Sequence, residues 1–333
     1  MSLALALIAG SSFMVSSGKV NLVTDEAEAV LAILKREETG IPVMDSDWKH
    51  LFATDGYKRL KARELGMKQK FENRDFQAFV QSKELIARRR DLEEALAKWE
   101  KADVTGCQAR ALAYLPKGAD ITAKVYILIK PRKNSFVWEI DKDPAIMLYL
   151  DPDRSEEAFA DTIAHEMHHI GYGRSCPSPE FNKWLESKPK TIQTAYMWLG
   201  AFGEGFAVLA AAGGPGPDPQ AWAQGDVRAD WAKGMAHQPE QFREVEAFFL
   251  SVCEGKTTGE QVLDKAREFY GIVGPWYTVG YTIATTIEAA DGRDKLIECY
   301  RDPRLLLPTY NAAVDRLGKN LPRWSPELLK ALR

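Results

Sequence analysis

The segment Ala164-His165-Glu166-Met167-His168-His169-Ile170 constrains this chain more than any other. It contains the pattern H-E-x-x-H, with His165, Glu166 and His169 at the fixed positions. On an α-helix these histidines are four residues apart, so their side chains lie on one face about one turn apart. That spacing lets two imidazoles bind one Zn²⁺. Glu166, next to the first of them, is placed to act as general base toward a zinc-activated water. The competing reading is a surface helix that carries histidines by chance. Against it, most of the chain's 5 histidines crowd into this one segment. His168 points about 100° away around the helix, which suits packing or support of a ligand better than ligation.

The flanks favour a rigid, half-buried helix. Asp153 or Ser155 can cap it, and Glu156 and Glu157 occupy its first turn. Phe159, Ile163, Met167 and Ile170 make an apolar stripe at helical spacing. Gly171 and Gly173 are expected to end the helix.

Composition narrows the class. A chain of 333 residues has room for one large or two modest domains, and an apolar content of 45% supports a real core. The net charge of −3 gives no electrostatic case for nucleic acid binding. The cysteines Cys107, Cys176, Cys253 and Cys299 form no C-x-x-C pair, so they read as buried or free thiols rather than a zinc site. No stretch reads as long and apolar enough for a transmembrane helix, so stable membrane insertion is not expected. The run Leu3–Ile8, followed by small residues to Gly18, resembles the apolar region and tail of a signal peptide but lacks a preceding Lys or Arg. Export, to the periplasm in a bacterium, is one reading of that run; a buried N-terminal strand or helix is the other.

Residues 21–105 read as helical. Asp25 and Glu28 form a capping pattern, and a long helix is predicted from about Arg74 to Lys101. The pattern then changes. Ala109–Leu115, Lys124–Ile129, Ser135–Ile140 and Ala145–Leu150 are short runs rich in Val, Ile, Tyr, Phe and Trp, punctuated by Pro116, Pro131 and Pro144. They predict a small, mostly antiparallel sheet whose last strand feeds the H-E-x-x-H helix. An edge of such a sheet can hold an extended peptide by main-chain hydrogen bonds. The fold class is therefore α+β, mostly α. Its parts are a leader-like stretch over 1–20, a helical part over 21–105 and a catalytic part over 106–333. Together they read as one integrated unit.

Two later stretches add candidates. An apolar helix from about Thr191 to Ala212 carries Glu204 among Trp198, Leu199, Phe202, Phe206, Val208 and Leu209. A carboxylate buried there is costly unless it is paired or bound to a metal, which makes Glu204 the candidate third zinc ligand. Solvent exposure of Glu204 is the alternative. Gly203 and Gly205 beside it permit close helix approach. Further on, Pro275 suits the first turn of a helix running to about Ala290, with Tyr277 and Tyr281 on one face. Either hydroxyl can stabilise an oxyanion at the metal, or both can simply pack. His237 stands alone between the motif and the C-terminus and reads as an exposed histidine.

H-E-x-x-H followed by a glutamate on a later helix resembles the gluzincin metallopeptidases. Gly203-Glu204-Gly205-Phe206-Ala207 is similar to the Asn-Glu-Gly-Phe-Ala run of the aminopeptidase-type members. The chain more closely resembles an uncharacterised bacterial family described as zinc-dependent peptidases. The stretches that carry this are Trp48–Tyr57, Tyr114–Pro116, Leu148–Asp151, His165–Tyr172, Glu204-Gly205, and Gly274–Tyr277 through Gly292-Arg293. The resemblance implies a zincin-like core, Zn²⁺ held by His165, His169 and Glu204, Glu166 as base, and a peptide or protein substrate. There are departures. The interval from His169 to Glu204 is longer than in the best-known gluzincins, and no Gly-x-Met-Glu-Asn-like run is present to bind a substrate amine. Val208 stands where an acid would orient a ligand histidine. The expected function is a zinc-dependent hydrolase, foremost a metallopeptidase. The alternatives are a zinc-containing binding protein without catalysis and a zinc hydrolase of a non-peptide amide or ester.

Overall fold

The computed structural model describes residues 19–333 apart from 217, 222 and 224. The leader-like run Leu3–Ile8 and nearly all of the 1–20 stretch lie outside the described residues. Strand β1 (Val20–Val23) opens the chain. Seven helices follow: α1 (Asp25–Thr39), α2 (Asp45–Ala53), α3 (Asp55–Gly66), α4 (Asn73–Val80), α5 (Lys83–Ala87), α6 (Arg89–Trp99) and α7 (Val104–Leu112). Next come β2 (Ala123–Leu128), β3 (Phe136–Trp138) and β4 (Ala145–Tyr149), then α8 (Glu156–Ser175). After α8 the described chain is helical. It runs through α9 (Pro179–Glu186), α10 (Lys190–Leu199), α11 (Gly203–Ala212), α12 (Gly225–Ala236), α13 (Gln238–Cys253) and α14 (Glu260–Glu268). It ends in α15 (Pro275–Asp291), α16 (Arg293–Arg301), α17 (Leu306–Leu317) and α18 (Pro326–Ala331).

The molecule is α+β and mostly α, with a four-stranded mixed sheet in the order β1-β2-β4-β3. The expectation of a mostly antiparallel sheet is corrected: β1 pairs β2 and β2 pairs β4 in parallel, and only β3 runs antiparallel, against β4. The reason lies in burial. Ala145-Ile-Met-Leu-Tyr149 is a continuous apolar run, buried at all but its last residue. Such a run suits a central parallel strand covered on both faces, whereas alternation marks a strand with one wet face. β3 is half-buried throughout and takes the edge.

Three other expectations change. Residues 109–115 are not a strand, because Asp103 caps a helix there by accepting the Gly106 N–H at 2.8 Å. The predicted helix over 74–101 is three helices, because Ser82 restarts the chain by accepting the Leu85 N–H at 3.3 Å. Gly171 and Gly173 do not end α8, which runs on to Ser175. Gly171 is needed for packing instead: a Cβ there would lie 2.2 Å from Leu115 Cδ1.

The sequence Lys190–Ala212 also proves long and apolar enough, by length and composition, to cross a membrane. It is interrupted by a 3-10 turn at Gly200–Phe202, and 67% of its apolar window is buried inside the protein. It serves here as a core segment.

Two buried apolar clusters meet at α8. One joins the sheet and N-terminal helices, through Leu34, Trp99, Val125 and Ile146, to Phe159, Ile163 and Met167 of α8. The other gathers Phe202, Phe206, Trp276, Ile283 and Tyr300 from the C-terminal helices. Tyr172, near the end of α8, packs against both. Glu26 of α1 fastens the first cluster, accepting the Ile129 N–H at 2.9 Å from a fully buried position.

Burial pushes the Glu26 carboxyl up to about 8 from an ordinary 4.5. The fold therefore favours its protonated form. The stability this contributes is full below pH 4.5 and declines as pH rises through about 8. Glu26→Gln should accordingly resist urea better than the parent protein at pH 9, with the difference vanishing toward pH 4. Parallel urea curves across that range would show that Glu26 does not carry a buried proton.

Candidate metal centre

Ser155 starts α8 by accepting the Ala158 N–H on its hydroxyl at 3.1 Å, and Glu156 and Glu157 complement the helix dipole. The helix then carries His165 and His169 one turn apart, as H-E-x-x-H requires. Their Nε2 atoms stand 3.0 Å from each other. Glu204 of α11 completes a triangle, with Oε2 3.2 Å from each Nε2. These are the one group of three or more potential metal-ligating side chains found among the described residues.

Helix packing sets this meeting of α8 and α11. α15 runs directly behind α11, and a Cβ on Gly205 would lie 2.0 Å from Tyr281 N and 2.5 Å from Tyr277 O. Only glycine allows that approach. It locks Glu204 toward α8 and brings Tyr277 alongside, its ring 6.3 Å from that of His165 and nearly parallel to it. Gly203, by contrast, has nothing within 4 Å of its missing Cβ.

The charges of the cluster reinforce one another. Burial alone would push Glu204 up, but the His169 and His165 imidazoles overcome it and hold the carboxyl well below the usual range. Burial alone would push His169 down, but the Glu204 carboxylate holds its proton to about 9. The arrangement calls for a positive charge at its centre, supplied by a proton or by a metal. The donors suit zinc: two imidazoles and a carboxylate leave a fourth position open, the pattern of catalytic rather than closed structural sites. Donors about 2.0–2.1 Å from one tetrahedral centre are about 3.3 Å apart, close to the spacing seen here.

Glu166 is buried, and burial raises its carboxyl above the ordinary range, with His165 and His169 opposing. Burial also raises the Tyr277 hydroxyl far above its usual value, with Glu204 and Glu166 adding to the shift, so it remains an O–H donor. Tyr281 sits elsewhere. It meets Trp231 edge-on at 5.3 Å, with Asp218 the charge that bears on it. His168 is fully buried between Tyr172 and Tyr300, at ring distances of 5.9 and 6.2 Å. Burial and the neighbouring imidazoles push it down to about 3. His237 is exposed, with Nδ1 2.7 Å from the Lys233 carbonyl. The four cysteines are free.

Two groups near the centre escaped the sequence reading. Arg154 donates to Thr162 Oγ1 at 2.8 Å and bears electrostatically on Glu166. A lone arginine in a loop carries no signal in sequence. Asp161 lies one turn before His165 and pairs with Arg110 at 2.6 Å. Its four-residue offset from His165 was a usable clue. Farther out, Tyr114, Glu288 and Arg293 form a clamp. Arg293 donates to Tyr114 Oη at 3.0 Å and to Glu288 at 3.1 Å, and the Tyr114 hydroxyl donates to Glu288 at 3.1 Å.

Comparison with known proteins adds one match. The profile of a family described as "putative zinc dependent peptidase (DUF5700)" matches residues 48–318. No curated protein and no solved structure matches the chain.

Gly205→Ala should lower the free energy of unfolding by about 3 kcal/mol, because the clash is with backbone and cannot be relieved by a rotamer change. Urea unfolding measures this. An unaltered midpoint would mean that α11 and α15 separate at no cost.

Proposed function

The chain belongs to the DUF5700 family, which is described as zinc dependent, and we propose that it is a metallopeptidase with His165, His169 and Glu204 as zinc ligands and Glu166 as general base. The observation that carries this reading is the 3.0–3.2 Å convergence of three donors from two helices far apart in sequence. That only three such donors converge among the described residues favours an open, catalytic site over a closed structural one.

When bound, zinc supplies Lewis-acid polarisation of a carbonyl and lowers the pKa of a water to roughly 7. The protein's own groups do the rest. Glu166, one residue after His165 and shielded from solvent, accepts a proton from the attacking water and passes it to the leaving amine. Its raised affinity for a proton suits both halves of that transfer. Tyr277, held protonated beside Glu204, donates a hydrogen bond to the oxyanion. Tyr281 faces Trp231 and takes no part. An extended substrate adds to the outer edge of β3, which packs against α8.

Glu166→Gln should keep its zinc, by elemental analysis, and lose about 10²–10⁴-fold in peptide hydrolysis. Undiminished cleavage would remove Glu166 as the base. Glu204→Ala should fold yet bind zinc more weakly, measured by competition with a chromogenic chelator. A parental zinc affinity in that variant would assign the third ligand to another residue.

A further inference from the structure

Beside the donor triangle lies a cavity of about 160 Å³. His165 and Tyr277 form the wall it shares with the metal centre. Its other surfaces are mainly apolar: Val208, Ala211, Pro219, Val227 and Val273. The polar groups of α8 that reach it are already engaged. Asp161 is held by Arg110 at 2.6 Å, and the Thr162 hydroxyl donates to the Ala158 carbonyl while accepting from Arg154, both at 2.8 Å. Gln220 differs. It is 8% exposed, and its Oε1 is buried without a hydrogen-bond partner among the described residues.

We infer that this cavity is the substrate side-chain pocket, and that it selects peptides with an uncharged residue of leucine, isoleucine, methionine or phenylalanine size beside the scissile bond. The inference rests on the metallopeptidase reading and names its substrate class. Size sets the upper limit: apolar cavities of roughly 150 Å³ accept a benzene-sized group. A charged side chain is disfavoured because it would leave water for described walls whose one carboxylate, Asp161, is already paired with Arg110. The buried Gln220 carbonyl can accept an N–H from the bound peptide, which satisfies a group otherwise left without a partner. Val208 has a role in this arrangement. At the position where an acid would orient a ligand histidine, it forms apolar wall instead.

The test is hydrolysis of a mixed peptide library by the zinc-loaded protein and by Val227→Phe and Val208→Phe, with binding of the same peptides to Glu166→Gln measured by calorimetry. Peptides bearing Leu, Ile, Met or Phe beside the cleaved bond should exceed their Ala, Asp and Lys counterparts about 10–200-fold in kcat/KM. The same order should appear in binding. Val227 lines the pocket and is half-buried, so its phenylalanine variant is the less disruptive of the two. It should cut the advantage of Leu over Ala at least tenfold, a ratio that partial misfolding does not move. A flat profile, a preference for charged residues, or an unchanged ratio in both variants would overturn the pocket assignment. Binding in the expected order with no cleavage of any peptide would support the pocket and defeat the peptidase reading.

Discussion

Burying the Glu204 carboxylate between two imidazoles is the interaction on which this structure turns. A carboxylate in apolar surroundings is strongly disfavoured unless positive charge meets it. Here His165 and His169 both approach its Oε2 at 3.2 Å. The requirement dictates where α8 and α11 cross, and that crossing lies where the two apolar clusters of the molecule meet. α8 commits one face to the sheet side and leaves the histidine face for α11. Neither cluster contains the centre, yet both must be in place for the donors to converge.

The frame that holds this crossing is built from close approaches and a few polar ties. Gly205 lets α15 lie against α11, and Gly171 lets Leu115 press against α8. A methyl group at Gly205 would meet the α15 backbone, which cannot move aside by a rotamer change, whereas at Gly171 it would meet the tip of the Leu115 side chain. The Tyr114, Glu288 and Arg293 clamp ties the turn after α7 to α15 and α16, and Arg293 also lies over the Tyr114 ring at 4.0 Å. It thus connects the turn that follows α7, which packs on α8, with the helix that carries Tyr277. A pocket wall contributed by α11, α12 and the approach to α15 then comes with the same packing.

Much of this was legible in the residues, and the exceptions have physical causes. The helix bearing H-E-x-x-H was readable because its cap, stripe and spacing are all local. The strand over Ala145–Tyr149 was readable, but its partners were not. A continuous apolar run marks a covered strand, and parallel pairing follows from that cover; only the crossover through seven helices shows that β1 and β4 flank β2. Residues 109–115 misled because Ala, Leu and Tyr suit either state until the Asp103 cap is seen. Lys190–Ala212 would pass for a membrane span on composition, and only its burial against other helices assigns it to the core.

What the sequence alone determined is what depends on neighbours within a turn or two: two imidazoles on one helical face, a carboxylate beside the first, and a second carboxylate stranded in an apolar helix. Helical periodicity makes these relations unavoidable once the helices form. The tertiary structure decided which groups meet across long intervals. It brought Glu204 to both histidines and turned Tyr277 toward them while Tyr281 faces Trp231. It also placed Val208 in a pocket wall and left β3 at the edge of the sheet. Those outcomes depend on interhelical distances governed by single glycines and on burial shared between distant segments, and neither has a period that a sequence can display.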